Sequence, residues 1–152
     1  MAGTASVAAK KALFDALAAK AVAGQPLEGV QVAYSYPGAP RRACLYFGRL
    51  RFDHELFTFA SPTVGGGRQP RSEIVTITVV ILARNIKSDQ YAADTLAVEI
   101  GTVLEELLAA DPTAGGAVQV RTVAEGDLEP FHDDDGVIAQ LTYQLTVQSL
   151  LI

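Results

Sequence analysis

The chain has 152 residues, 49% of them hydrophobic and 19% charged, with a net charge of −5 and a single cysteine. A chain of that size fits one domain that buries roughly 70% of its unfolded surface, and so high an apolar content excludes a disordered polymer. The lone Cys44 excludes an internal disulfide and a cysteine-rich metal site, which suits a reducing compartment or a protein that needs no oxidative cross-link.

From Ser6 to Ala23, Val7, Phe14, Leu17, Ala18 and Ala21 recur at helical spacing, so a first helix is expected, capped by Thr4 or Ser6 and ended by Gly24. Lys10, Lys11, Asp15 and Lys20 interrupt this stretch, which argues against a secretory signal. Val30, Val32, Tyr34 and Tyr36 then alternate with smaller or polar residues as a strand does, until Pro37, Gly38 and Pro40 break the pattern. Two aromatic-rich strands follow, over 43–52 and 55–59, with Asp53-His54 expected as a tight turn between them. The segment ASPTVGGGRQPRSE comes next, and a flexible arm is expected over 60–72.

Residues 73–84 form the strongest strand pattern. Val75, Ile77, Val79 and Ile81 share one face, while the other carries Thr76 and Thr78 and then turns apolar at Val80 and Leu82, so half of the strand should be covered on both sides. The apolar run from Ile74 to Ala83 is too short to cross a membrane. Ser88 and Asp89 stand where a helix cap is needed, and a second helix is expected to Asp111 with Leu96, Ile100, Val103, Leu104 and Leu107 inward. A short strand over 117–123 and an acidic loop over 125–136 lead to the last strand. There Val137, Ala139, Leu141, Tyr143, Leu145 and Val147 make one apolar face, opposite uncharged Gln140, Thr142, Gln144, Thr146 and Gln148. A strand so free of charge either lies centrally in a sheet or abuts another subunit. The order predicts one α+β domain over 1–152, two main helices packed on a mostly antiparallel sheet.

Sequence motifs for chemistry are weak. A phosphate loop needs a preceding strand, a following helix and a lysine, whereas the triple glycine precedes a strand and has no lysine. His132 to Gly136 (HDDDG) lacks the spaced ligand pattern of a calcium loop and is expected as a solvated turn. Neither His54 nor His132 has a nucleophile motif around it, and Glu99, Glu105 and Glu106 follow the exposed face of the second helix. Neither catalytic residues nor a cofactor or metal site is therefore expected. Charge is divided along the chain: residues 41–87 hold eight basic against three acidic residues, net +5, and the remainder is −10. The basic stretch from Arg41 to Arg51 is interleaved with Tyr46, Phe47 and Phe52, but with a pI near 4.9 salt bridges between subunits are expected ahead of nucleic-acid contacts.

Several of these features together resemble the tail terminator proteins of long-tailed, siphovirus-type bacteriophages. They are the N-terminal helix (Val7 to Ala23), the VxVxYxYP strand (Val30 to Pro37), an arginine leading into a long β-branched strand (Arg71 to Arg84), the Asp-capped helix (Asp89 to Ala110) and the final acidic-loop-to-LxYxLxV strand (Asp133 to Val147). The resemblance covers nearly the whole chain and rests on element order rather than an invariant motif. It implies a non-enzymatic virion protein, assembled in the host bacterial cytoplasm, that closes into a homohexameric ring on the tail tube. Such a ring ends tube growth and joins the tail to the head connector. The implied partners are further copies of the chain, the tail tube protein and the head–tail connector, with double-stranded DNA passing the lumen unrecognised and no membrane. Six copies at −5 each carry −30, in keeping with such a bore. The divided charge suits the unlike patches that meet in a ring. Arg41, Arg42, Arg68, Arg71, Gln140, Gln144 and Gln148 are the expected interface residues. A neck or head-completion connector and a tail tube subunit are the alternatives of the same class, and a small-ligand-binding module is the alternative of another.

Overall fold

The computed structural model describes residues 6–56, 71–111 and 120–151. Its centre is the antiparallel ladder between β3 (Arg71–Asn85) and β5 (Gly136–Leu151), which pairs every residue of β3 without a register shift. β2 (Ala43–Leu56) adds to the other side of β3, and β4 (Val120–Asp133) to the other side of β5. A three-residue β1 (Gln31–Ala33) joins β2 in parallel, giving the order β1-β2-β3-β5-β4. α1 (Ser6–Ala19) lies against β1, β2 and β3, and α2 (Gln90–Ala110) against β3, β5 and β4. The fold is α+β, with two helices on one face of a mostly antiparallel sheet.

Period-two patterning decides which face the helices cover. Val75, Ile77, Val79 and Ile81 of β3 and Ala139, Leu141, Leu145 and Val147 of β5 are buried beneath the helices. α2 meets them with Ala93, Ala97, Ile100, Gly101, Leu104 and Leu108, and α1 with Ala9, Leu13 and Leu17. Each fully buried leucine contributes about 1.5–3 kcal/mol. Asp89 caps α2 as expected, its carboxylate accepting from the Ala92 N–H at 3.2 Å. Glu73, fully buried at the head of β3, is engaged within the chain.

Three expectations change, and one open alternative is decided. α1 ends at Ala19, short of Gly24, and its inward stripe is rotated so that Val7 is exposed; Ala9 and Leu13 fill the seam because a small residue there lets the helix approach the sheet. Asp53-His54 is no turn: both stay extended, paired with Ile74 and Glu73, since the dipeptide lacks the glycine or asparagine a two-residue hairpin needs. Most of the expected acidic loop is strand, because Glu125 to Asp133 pair with β5 and only Asp134 and Asp135 turn the chain. An edge strand tolerates the acids and Pro130, its outer side being wet. The final strand is central, paired on both sides, and its apolar face is covered by α2, so its ladder is complete within one subunit. The arm expected over 60–72 lies outside the described residues except for Arg71 and Ser72, which open β3.

The helix approaches the sheet most closely at Gly101. A Cβ there would lie 2.6 Å from the Tyr143 hydroxyl and 2.8 Å from a Leu141 methyl, so any side chain forces the ring or the helix to move. Burial, then the Glu105 charge and the hydrogen bond to Glu105, push the Tyr143 phenol up to about 12.

Gly101→Ala is expected to lose about 1–3 kcal/mol in urea unfolding through overpacking, although alanine is the better helix former by about 1 kcal/mol. A variant as stable as the native chain would show that Tyr143 yields freely. The raised phenol pKa carries its own consequence: the folded state keeps a proton that the unfolded chain releases above its ordinary value of 10.0, so the associated stability is complete below that pH and is lost as pH rises toward about 12. Tyr143→Phe should flatten the alkaline limb of the stability–pH curve, followed by denaturation at a series of pH values.

Candidate functional site

Because both described helices pack on one side, no helix among the described residues covers the opposite face of the sheet. Its residues follow from the register. Arg51 pairs with Thr76, Thr76 with Thr146, Thr78 with Gln144 and Gln144 with Glu125, while Thr142 pairs with Asp127 and Gln140 with Glu129. All of these side chains lie on the side away from the helices. A bulge between Phe47 and Leu50 inserts one extra residue into β2, which keeps both apolar side chains turned to the core and leaves Arg49 and Arg51 together on the open face.

Two depressions share this face. One, of about 420 Å³, is lined by Arg49, Arg51, Asp53, Thr76, Thr78 and Gln144. The other, of about 380 Å³, is lined by Glu125, Gly126, Asp127, Glu129, Thr142 and Gln144. Gln144 belongs to both, and its side-chain oxygen accepts from the Thr78 hydroxyl at 3.1 Å. The face therefore runs from basic at β2, through an uncharged Thr/Gln strip, to acidic at β4, over three strand spacings or about 14 Å. Arg51 and Asp53 approach only to 3.8 Å with both side chains largely in solvent, so this pair is weak. A third depression, of about 370 Å³, lies on the outer flank of α2 around Tyr91, Asp94, Val98 and Glu99. The Thr95 and Thr102 hydroxyls in its wall are bonded to the helix's own Tyr91 and Val98 carbonyls.

The lower half of the open face is drier. Val80 is buried there and Leu82 half-buried, as the apolar turn of the strand pattern predicts. Tyr36 lies edge-on against Tyr46, the ladder partner of Val80, with ring centroids 5.3 Å apart. Burial, then the neighbouring Tyr36 and Cys44, raise the Tyr46 phenol pKa, and burial likewise raises that of the Cys44 thiol. Phe47 is buried, and Tyr46 and Phe52 lie on opposite faces of the sheet, so the basic stretch does not present the row of aromatic faces that stacking on single-stranded nucleic acid requires. Among the described residues no group of three histidine, cysteine or acidic side chains is arranged to hold a metal ion.

At the end of β3, Arg84 grips the hairpin between β4 and β5. One guanidinium nitrogen donates to both Asp133 oxygens, at 2.7 and 2.8 Å, and lies 3.9 Å from Asp135. The Arg84 hydrogen bond, and the Asp135 N–H that donates at 2.9 Å, hold the Asp133 carboxyl below its ordinary value. The acids of the HDDDG segment are thus engaged in shaping a turn. Gly136 follows at φ 129, where a Cβ would collide with the Asn85 carbonyl oxygen.

The residues expected at an interface are only partly brought together. Gln140, Gln144 and Gln148 share the open face of β5, and Gln148 is itself engaged within the chain. Arg42 is used internally: its Nε donates to the Arg84 carbonyl at 3.1 Å, and the Arg84 N–H donates to the Arg42 carbonyl at 2.8 Å. The Arg41 N–H donates to Gln31 at 2.8 Å and its side chain is exposed, away from the Gln row. Arg71 begins β3, and Arg68 lies outside the described residues. Arg49 and Arg51 belong to the basic stretch expected to make salt bridges, whereas Glu125, Asp127 and Glu129 are not among the expected interface residues; together they carry the charge of the open face. The i, i+2 spacing of the acids signals a single strand face, a signal hidden when the segment is taken as loop. No protein-family model matches the chain, and no curated protein matches it significantly.

Arg84→Ala is expected to let the Asp133 pKa rise back toward the usual carboxylate range, read from the carboxyl carbon shift in an NMR titration. An unmoved Asp133 would assign the shift to the turn N–H alone.

Proposed function

We propose that the protein is a structural assembly subunit that closes into a ring, and that this ring is a tail terminator of a long-tailed bacteriophage. The observation that supports it most is the separation of charge on the open sheet face, arginines toward one margin and carboxylates toward the other. Closed rings join two unlike patches of the same subunit, and oppositely charged patches set both the partner and its orientation. Of the features that carry the resemblance, the N-terminal helix, the long β3 and the Asp-capped α2 stand in the fold, whereas the VxVxYxYP segment is strand only at Gln31–Ala33 and most of the acidic segment is strand. The reading assigns the protein no catalysis and no cofactor. Its chemistry is shape and charge offered to copies of itself, to the end of a tail tube and to the head connector, with double-stranded DNA passing the bore unrecognised.

Light scattering on the purified chain should find a six-chain particle that stops at one ring, and added to growing tail tubes the protein should cap them and end elongation. A stable monomer at high concentration would reject the ring. Long cylinders of the protein alone would make it a tube subunit instead.

A further inference from the structure

The two charged margins coincide with the two sides on which the sheet ends. β1 pairs β2 only from Cys44 to Tyr46, so among the described residues no strand lies against the outer side of β2 from Phe47 onward, and none against the outer side of β4. On the open side the margins differ in charge, with Arg49 and Arg51 beside Asp53 on β2 and Glu125, Asp127 and Glu129 on β4.

We infer that β4 of one copy docks beside β2 of the next, the carboxylates of β4 meeting Arg49 and Arg51. This inference rests on the ring assembly proposed above and names its joint. Strand direction agrees: β2, β3, β5 and β4 alternate in direction, so a neighbour set alongside in the same orientation brings its β2 antiparallel to β4. Packing two open faces against each other would also bring unlike charges together, but it would dehydrate the central Thr76, Thr78, Thr142, Thr146 and Gln144 without apolar surface in return. Side-by-side docking leaves that strip in water. The joint uses partly solvated ion pairs, so it weakens as salt rises.

Charge exchange on the full 152-residue chain tests this, with association followed by sedimentation velocity and folding by circular dichroism. Arg49→Glu with Arg51→Glu makes both margins acidic, and Glu125→Lys with Asp127→Lys makes both basic. Each pair should fold normally and associate at least about tenfold more weakly than the native chain. An equimolar mixture of the two, and a chain carrying all four substitutions, should regain association. Arg49→Gln with Arg51→Gln, which removes charge without adding repulsion, should weaken assembly to a lesser degree and serves if a reversed chain fails to fold. If the native chain forms rings and the reversed chains form them equally well, this joint is overturned while the ring stands. If the native chain stays monomeric, both fall. A particle of two chains would point to face-to-face pairing and overturn the side-by-side joint.

Discussion

Helix packing on one face only of the β3–β5 ladder is the constraint from which the other features follow. β5 supplies five dry residues to the helix side, Ala139, Leu141, Tyr143, Leu145 and Val147, and alternate glutamines and threonines to the other. A strand cannot shift by one residue against β3 without driving the glutamines under α2, so the register is held by the cost of burying unpaired amides. α2 in turn reaches that surface because Gly101 lets its backbone lie against Tyr143 and Leu141. Dryness on one side and water on the other are thus a single decision. It leaves a broad polar surface that the subunit's own helices do not use.

That surface is organised from its ends. At one end of β3, Arg84 ties the β4–β5 hairpin to the centre of the sheet through Asp133, and its backbone is tied in turn to Arg42 ahead of β2. Near the middle, the bulge in β2 releases Arg49 from the alternation that would otherwise make it compete with Phe47 and Leu50 for the core side. The basic cluster is therefore a product of an irregularity in the ladder, whereas the acidic cluster is a product of its regularity, Glu125, Asp127 and Glu129 simply following every second position of β4.

Where local chemistry and long-range packing agree, the letters of the chain are readable. The alternation of β3, its half-covered outer side, the Asp89 cap and the apolar face of β5 all stand as their periodicity predicts, since each depends on neighbours two to four residues away. The failures share a different cause. The Asp53-His54 pair and the 125–133 segment are polar enough to read as turn or loop, yet they are held extended by partners some twenty residues away or less, at Ile74 and Glu73 in one case and along Gln144 to Gly136 in the other. Val7 was expected inward for a related reason: helical spacing defines a stripe but not its rotation, and the small Ala9 beside Leu13 sets it here. Read as loop, the acidic segment hides the carboxylate row that lies across the open face from Arg49 and Arg51, and the sequence places the interface on Arg41, Arg42, Arg68, Arg71 and the glutamines.

The charged margins bear on which copies meet as well as on how tightly. An exposed strand edge is a general hazard because its backbone groups pair with almost any other strand. On β4 the hazard is restrained by a row of carboxylates and by Pro130, and two β4 edges brought together would set like charges opposite one another. The two-fold pairing of β4 edges is thereby disfavoured, and pairing β4 with β2 relieves its repulsion. β2 carries Asp53 beside Arg49 and Arg51, so like charge alone sets no such bar there. A contact that joins only unlike edges is head-to-tail by construction, and it ends in a closed ring when the rotation per copy divides the circle and in an open helix when it does not. In the proposed joint the charge pattern would select the kind of assembly, and the angle between neighbouring sheets, governed by sheet twist, would select its size.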